Sequence, residues 1–154
     1  MPYAMDPRGT LKHRRGGYYV IGMGFAGKHR QVTVARGVAM FALQGEIAEG
    51  LQIHHNDQDK LNDLPSNLAI CSQEQHRILD ALSLLRNHGF DIVERPKEDL
   101  HPILKGVIWI GDLLEDREGV LEEVVTWTKN WIFNRDGWIT PADDITECVI
   151  ERRL

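Results

Sequence analysis

The sequence predicts an α+β fold, and three stretches carry the prediction. Two β-rich runs parted by glycines open the front of the chain and lead into a short helical run. The middle reads strand, long loop, strand, helix, and the remainder adds a further strand, a helix and a closing element.

Each element has a local cause. Tyr18-Tyr19-Val20-Ile21 and Gln31-Val32-Thr33-Val34 are β-rich and separated by Gly22, Gly24 and Gly27, the pattern of a hairpin. Arg36 to Leu43 places small and apolar residues at helical spacing, with Gly45 positioned to end the helix. Leu51-Gln52-Ile53-His54 alternates as a half-buried strand does. Asn56 to Asn67 is dense in turn formers, and Leu68-Ala69-Ile70-Cys71 follows as a second strand. Ser72 and Gln75 form a capping box for a helix that carries Ile78, Leu82 and Leu85 on one stripe and ends near Gly89. Pro96 and Pro102 bracket a linker. Gly106 to Ile110 reads as a strand, Gly119 to Phe133 as a helix, and Trp138 onward as a closing element. The organisation expected is a basic arm over 1–17, a central domain over 18–90 and an acidic, Trp-rich segment over 91–154 that serves packing or interaction.

Composition narrows the class. With 42% hydrophobic and 27% charged residues, the chain reads as globular, with no apolar run that spans a bilayer. Met1 to Thr10 lacks the apolar stretch of a secretory signal, and Cys71 and Cys148 form no CxxC, so a cytoplasmic location is expected. The net charge of -5 is unevenly spread: residues 1–45 carry +6, residues 46–76 carry -5 and residues 77–154 carry -6. A polyanion contact is therefore expected in the first third, where Arg8, Lys12, Arg14, Arg15, Lys28 and Arg30 lie.

Four residues carry chemistry: His54, His55, Asn67 and His76. Successive strand side chains point to opposite faces, so one of the paired histidines faces the following helix and the other the loop mouth. His76, at the start of that helix, can reach back across the hairpin. Two imidazoles converging from strand and helix suit a borderline divalent ion, which leaves the other strand histidine as a base near neutral pH. Singly, each has a plainer reading: His76 a cap or surface residue, the paired histidines solvated, Asn67 a turn residue, Lys60 a loop charge. Their joint spacing is what outweighs those readings.

The run from His54-His55-Asn56-Asp57 through Leu64-Pro65-Ser66-Asn67-Leu68 to His76 resembles the HNH endonuclease motif, the ββα-metal or His-Me finger, closest to its phage and mobile-intron type. The resemblance extends over roughly residues 17 to 86 and implies a ββα-metal finger preceded by a β-hairpin and short helix, with an additional C-terminal α/β segment. It implies that His54 and His76 are metal ligands, that His55 is the general base, and that Asn67 holds the loop and orients the base. It also implies a DNA substrate, duplex by expectation, cut or nicked to a 5′ phosphate and a 3′ hydroxyl.

Two departures from the family pattern matter. His54 stands where an aspartate is common, which moves the expected metal from Mg²⁺ toward Mn²⁺, Ni²⁺ or Zn²⁺. Asp80 stands one helical turn after His76, where bacteriocin nucleases carry a further histidine, and so becomes a candidate third ligand. Arg14, Arg15, Lys28, Arg30 and Lys60 are the candidate DNA contacts. Val120, Val124, Trp127 and Trp131 form an apolar stripe that either packs within the chain or forms a homodimer or partner interface. A non-catalytic nucleic-acid-binding module and a partner-regulated phage factor on the same finger stand as alternatives.

Overall fold

The structure, a computed structural model, describes residues 17–25, 27–136 and 147–152. The described residues form two three-stranded antiparallel sheets with α-helices packed on them. Strands β1 (Tyr19–Phe25) and β2 (Lys28–Thr33) are the predicted hairpin, with Val20 opposite Thr33 and Phe25 opposite Lys28. Gly22 and Gly24 lie within β1 and do not interrupt it; the turn is left to Gly27, whose φ of +81° suits glycine.

Helix α1 (Val34–Leu43) starts directly after β2, because the Thr33 hydroxyl caps the N–H of Arg36 at 3.2 Å. Its end differs in detail from expectation: Gln44 itself takes the left-handed conformation (φ 56°), and the Gly45 N–H closes onto the Met40 carbonyl. Strands β3 (Gln52–His55) and β4 (Leu68–Cys71) pair so that His54 faces Ala69 and His55 faces Leu68. Helix α2 (Gln73–Asn87) opens on the predicted capping box, Gln75 N–H to Ser72 Oγ at 3.1 Å and Ser72 N–H to Gln75 Oε1 at 2.9 Å. The stripe it buries is not the one expected. Leu79 and Ser83 are buried, Ile78 and Leu82 partly so, and Leu85 is 39% exposed. The helix is turned so that its His76–Asp80–Ser83 face meets β3, and that rotation builds the site.

Residues beyond 90 complete both sheets. Strand β5 (Ile108–Trp109), shorter than the predicted run, adds to β4, and β6 (Glu147–Arg152) adds to β1. Helix α3 (Val120–Asp136) packs on α1, with Val120 and Val124 buried and Trp127 edge-on to Phe41 at 5.7 Å. The Val120–Val124–Trp127–Trp131 stripe thus packs within the chain, Trp131 stacking on Trp127 at 5.3 Å. All four β4 residues are buried because the strand is covered on both faces. Leu68 and Ile70 join the main core with Ile21, Val38 and Val124, while Ala69 and Cys71 face Leu79, Leu104 and Trp109. Among the described residues, no helix is long and apolar enough to cross a membrane.

Candidate active site

Strand alternation separates the two histidines, and register fixes what each one meets. Cross-strand partners point to the same face, so His54 shares the Ala69 face, toward α2, and His55 shares the Leu68 face. His54 is fully buried, 5.4 Å from the His76 ring and edge-on to Trp109 at 6.4 Å. The 91–154 segment therefore supplies one wall of the site. His55 lines an open cleft of about 240 Å³ together with Tyr18, Ile53, Gln58, Lys60, His76 and Asp80.

The hydrogen bonds around His54 and His76 determine which ring nitrogens carry protons. Asn56 Nδ2 donates to the Glu94 carbonyl at 2.7 Å, so Asn56 Oδ1 is left to accept the Ser83 hydroxyl at 3.3 Å. Ser83 Oγ also lies 3.1 Å from His54 Nε2. A carboxylate can only accept, so His54 Nδ1 donates to Asp80 Oδ1 at 3.0 Å. Gln52 Oε1 accepts from His76 Nδ1 at 2.6 Å, and His76 Nε2 lies 3.4 Å from the same Asp80 oxygen.

Burial, with His76 and His55 nearby, lowers the His54 pKa from 6.5 to about 4 against the opposing pull of Asp80, so the ring is neutral at physiological pH. Two imidazoles and a carboxylate thus converge on one point, where a divalent cation would take the place of the His54 Nδ1 proton. Ligand atoms of His54, His76 and Asp80 all lie within 4.8 Å of one another. Ser83 and Gln52 are the outer partners that metal-bound histidines characteristically have. The donor set fits a divalent ion. Cys71, behind Gln52, does not belong to that set: burial, with Asp80 next, raises its thiol to about 12.

On the opposite face, His55 Nε2 bonds Asp63 Oδ1 at 2.8 Å, and the Tyr18 ring lies 6.1 Å from the imidazole. Asn67 is buried and ties the loop together. Its Nδ2 donates to Asp57 Oδ1 at 3.0 Å and to the Asn62 carbonyl at 2.9 Å, and its Oδ1 accepts the Asp57 N–H at 2.9 Å. The side chain bonded to His55 is thus Asp63, and Asn67 acts at one remove, on the loop that carries Asp63.

Of the candidate DNA contacts, Lys60 stands at the cleft with its Nζ 5.2 Å from the Tyr18 ring centroid. Arg30 is exposed on β2, opposite Met23. Lys28 is described by its backbone alone, and Arg8, Lys12, Arg14 and Arg15 lie outside the described residues.

Sequence reasoning missed Asp63, Ser83, Gln52, Gln58 and Tyr18. A signal existed for Ser83, a polar residue seven positions after His76 and so on its helix face. Gln52 had one too, two residues before His54 and on the same strand face. Asp63 and Gln58 had none, because the loop's path is not periodic.

Comparison with curated proteins and with solved structures finds no match. The family model described as HNH endonuclease matches residues 38–78, a span from within α1 into α2. It includes His54, His55, Asn67 and His76 and stops two residues short of Asp80. Over residues 38–78, about a quarter of its length, the chain is similar to HNH endonucleases.

Proposed function

We propose that the chain is a metal-dependent DNA endonuclease in which His54, His76 and Asp80 hold one divalent ion and His55 is the general base. The observation that carries this reading is the convergence of His54 Nδ1, His76 Nε2 and Asp80 Oδ1 on one point. When bound, a divalent ion supplies positive charge to the scissile phosphate and to the leaving 3′ oxygen. Two imidazoles and one carboxylate favour a borderline metal, Mn²⁺, Ni²⁺ or Zn²⁺, over Mg²⁺.

The chain's own residues do the rest. His55, in the cleft beside His76 and Asp80, takes a proton from the attacking water. Asn67 holds the loop, and Lys60, with Arg14, Arg15, Lys28 and Arg30, contacts backbone phosphates without reading sequence. The products are a 5′ phosphate and a 3′ hydroxyl, on a duplex substrate that is nicked or cut. The loop's likeness to phage and mobile-intron proteins supports such a source, and a host cytoplasm as its site of action.

The test is plasmid cleavage with Mg²⁺, Mn²⁺, Ni²⁺ or Zn²⁺, with His55→Ala alongside. Metal-dependent cleavage lost in the variant is expected, with a fall of about 10²–10⁴-fold. Equal residual cutting by both proteins overturns the assignment. DNA binding without cleavage under any metal points instead to a non-catalytic module.

A further inference from the structure

We infer that Asp63 is the positioning residue for the base: it holds His55 in the tautomer whose Nδ1 is free to accept a proton. The inference rests on the nuclease reading of the site. His55 and Asp63 are both buried, 8% and 1% exposed, and the 2.8 Å bond joins His55 Nε2 to Asp63 Oδ1. A carboxylate can only accept, so the bond requires Nε2 to carry the proton and leaves Nδ1 basic.

The loop is built to keep Asp63 there. Asn62 immediately before it donates through Nδ2 to Asp57 Oδ2 at 2.8 Å, and its carbonyl accepts from Asn67 Nδ2 at 2.9 Å. On the other side, Leu64 N–H bonds Asn62 Oδ1 at 3.3 Å and Pro65 opens a turn through Asn67. Asp63 is therefore clamped from both flanks, with Asn67 as the anchor of the clamp.

In the reaction, a water O–H bond breaks as its proton passes to His55 Nδ1, and its oxygen forms the new bond to phosphorus. The bond from phosphorus to the 3′ oxygen breaks, and that oxygen takes a proton from solvent. The imidazolium formed is already bonded to Asp63, so its charge arises beside a fixed carboxylate and needs no rearrangement.

The test is Asp63→Asn in the full chain, read two ways. The Asn amide can turn an N–H toward Nε2, which drives the ring toward the opposite tautomer. Single-turnover cleavage with Mn²⁺ should fall about 10²–10⁴-fold with DNA affinity within about twofold of wild type. Independently, ¹⁵N imidazole shifts of the metal-free protein should show His55 as Nε2–H in the wild type and shifted away from it in the variant. Wild-type His55 protonated on Nδ1 overturns the inference whether or not the variant folds. So does a variant that loses activity with its tautomer unchanged, or one that cleaves at the wild-type rate. A wild type that never cleaves DNA removes the nuclease reading, while the tautomer measurement still decides the role of Asp63.

Discussion

Asp80→Ala should cost little in metal-free protein and far more in metal-loaded protein. Without metal, Asp80 Oδ1 accepts from His54 Nδ1 at 3.0 Å and lies 3.4 Å from His76 Nε2. The side chain is 50% exposed, so solvent screens most of this attraction, and its removal is expected to destabilise by only about 0.5 kcal/mol. In EDTA the variant should therefore melt at or slightly below the wild-type temperature. With metal the cost grows. Changing an outer partner of a bound metal typically costs 10–100-fold in affinity, so losing a direct ligand should cost at least about 100-fold. At a fixed excess of Mn²⁺, that removes about 2.7 kcal/mol of linked stabilisation. For a chain of this size the metal-induced rise in Tm should shrink by about 5–10 °C. Thermal unfolding followed by circular dichroism, with EDTA and with Mn²⁺, measures both arms. An unchanged metal-induced rise would refute Asp80 as a ligand. A drop of several degrees in EDTA would refute the screening argument itself.

The remaining predictions concern stability. His54 has its pKa lowered from 6.5 to about 4, so the unfolded chain takes up this proton first. Metal-free protein should keep the full contribution above pH 6.5 and lose on the order of 3 kcal/mol as pH falls through that interval. Urea unfolding across it should give a shallower pH slope for His54→Gln, and parallel slopes would refute the effect. Thr128 is buried on α3 with no hydrogen-bond partner for its hydroxyl among the described residues. Thr128→Val should raise stability by about 1 kcal/mol in the same assay. Gly37 lies where α1 meets α3: a Cβ there would stand 2.9 Å from Thr128 Oγ1 and 3.2 Å from Ile21 Cδ1. Gly37→Ala should destabilise by about 1–3 kcal/mol, and a neutral result would mean that the helices separate more easily than their packing suggests.

Much of the frame was legible in the sequence because its causes are local. The capping box Ser72–Gln75, the β-rich runs around Gly27 and the apolar Leu68–Cys71 strand are settled by neighbours a few residues away, and each appears where expected. Strand alternation alone put His54 and His55 on opposite faces of β3, and helical spacing put Asp80 on the His76 face. What the sequence could not determine was anything that depends on rotation or on long-range register. Leu85 matched the apolar period of α2, yet α2 turns its polar His76–Asp80–Ser83 face to β3, since packing of Leu79 against Trp109 and Leu104 sets that rotation. Asp63 reaches His55 because an aperiodic loop is folded by Asn67 and Asp57, and no residue period encodes such a path. The His54–His76 segment specified which atoms are available. Only the tertiary structure decided which of them face one another, because their partners lie up to dozens of residues apart in the chain.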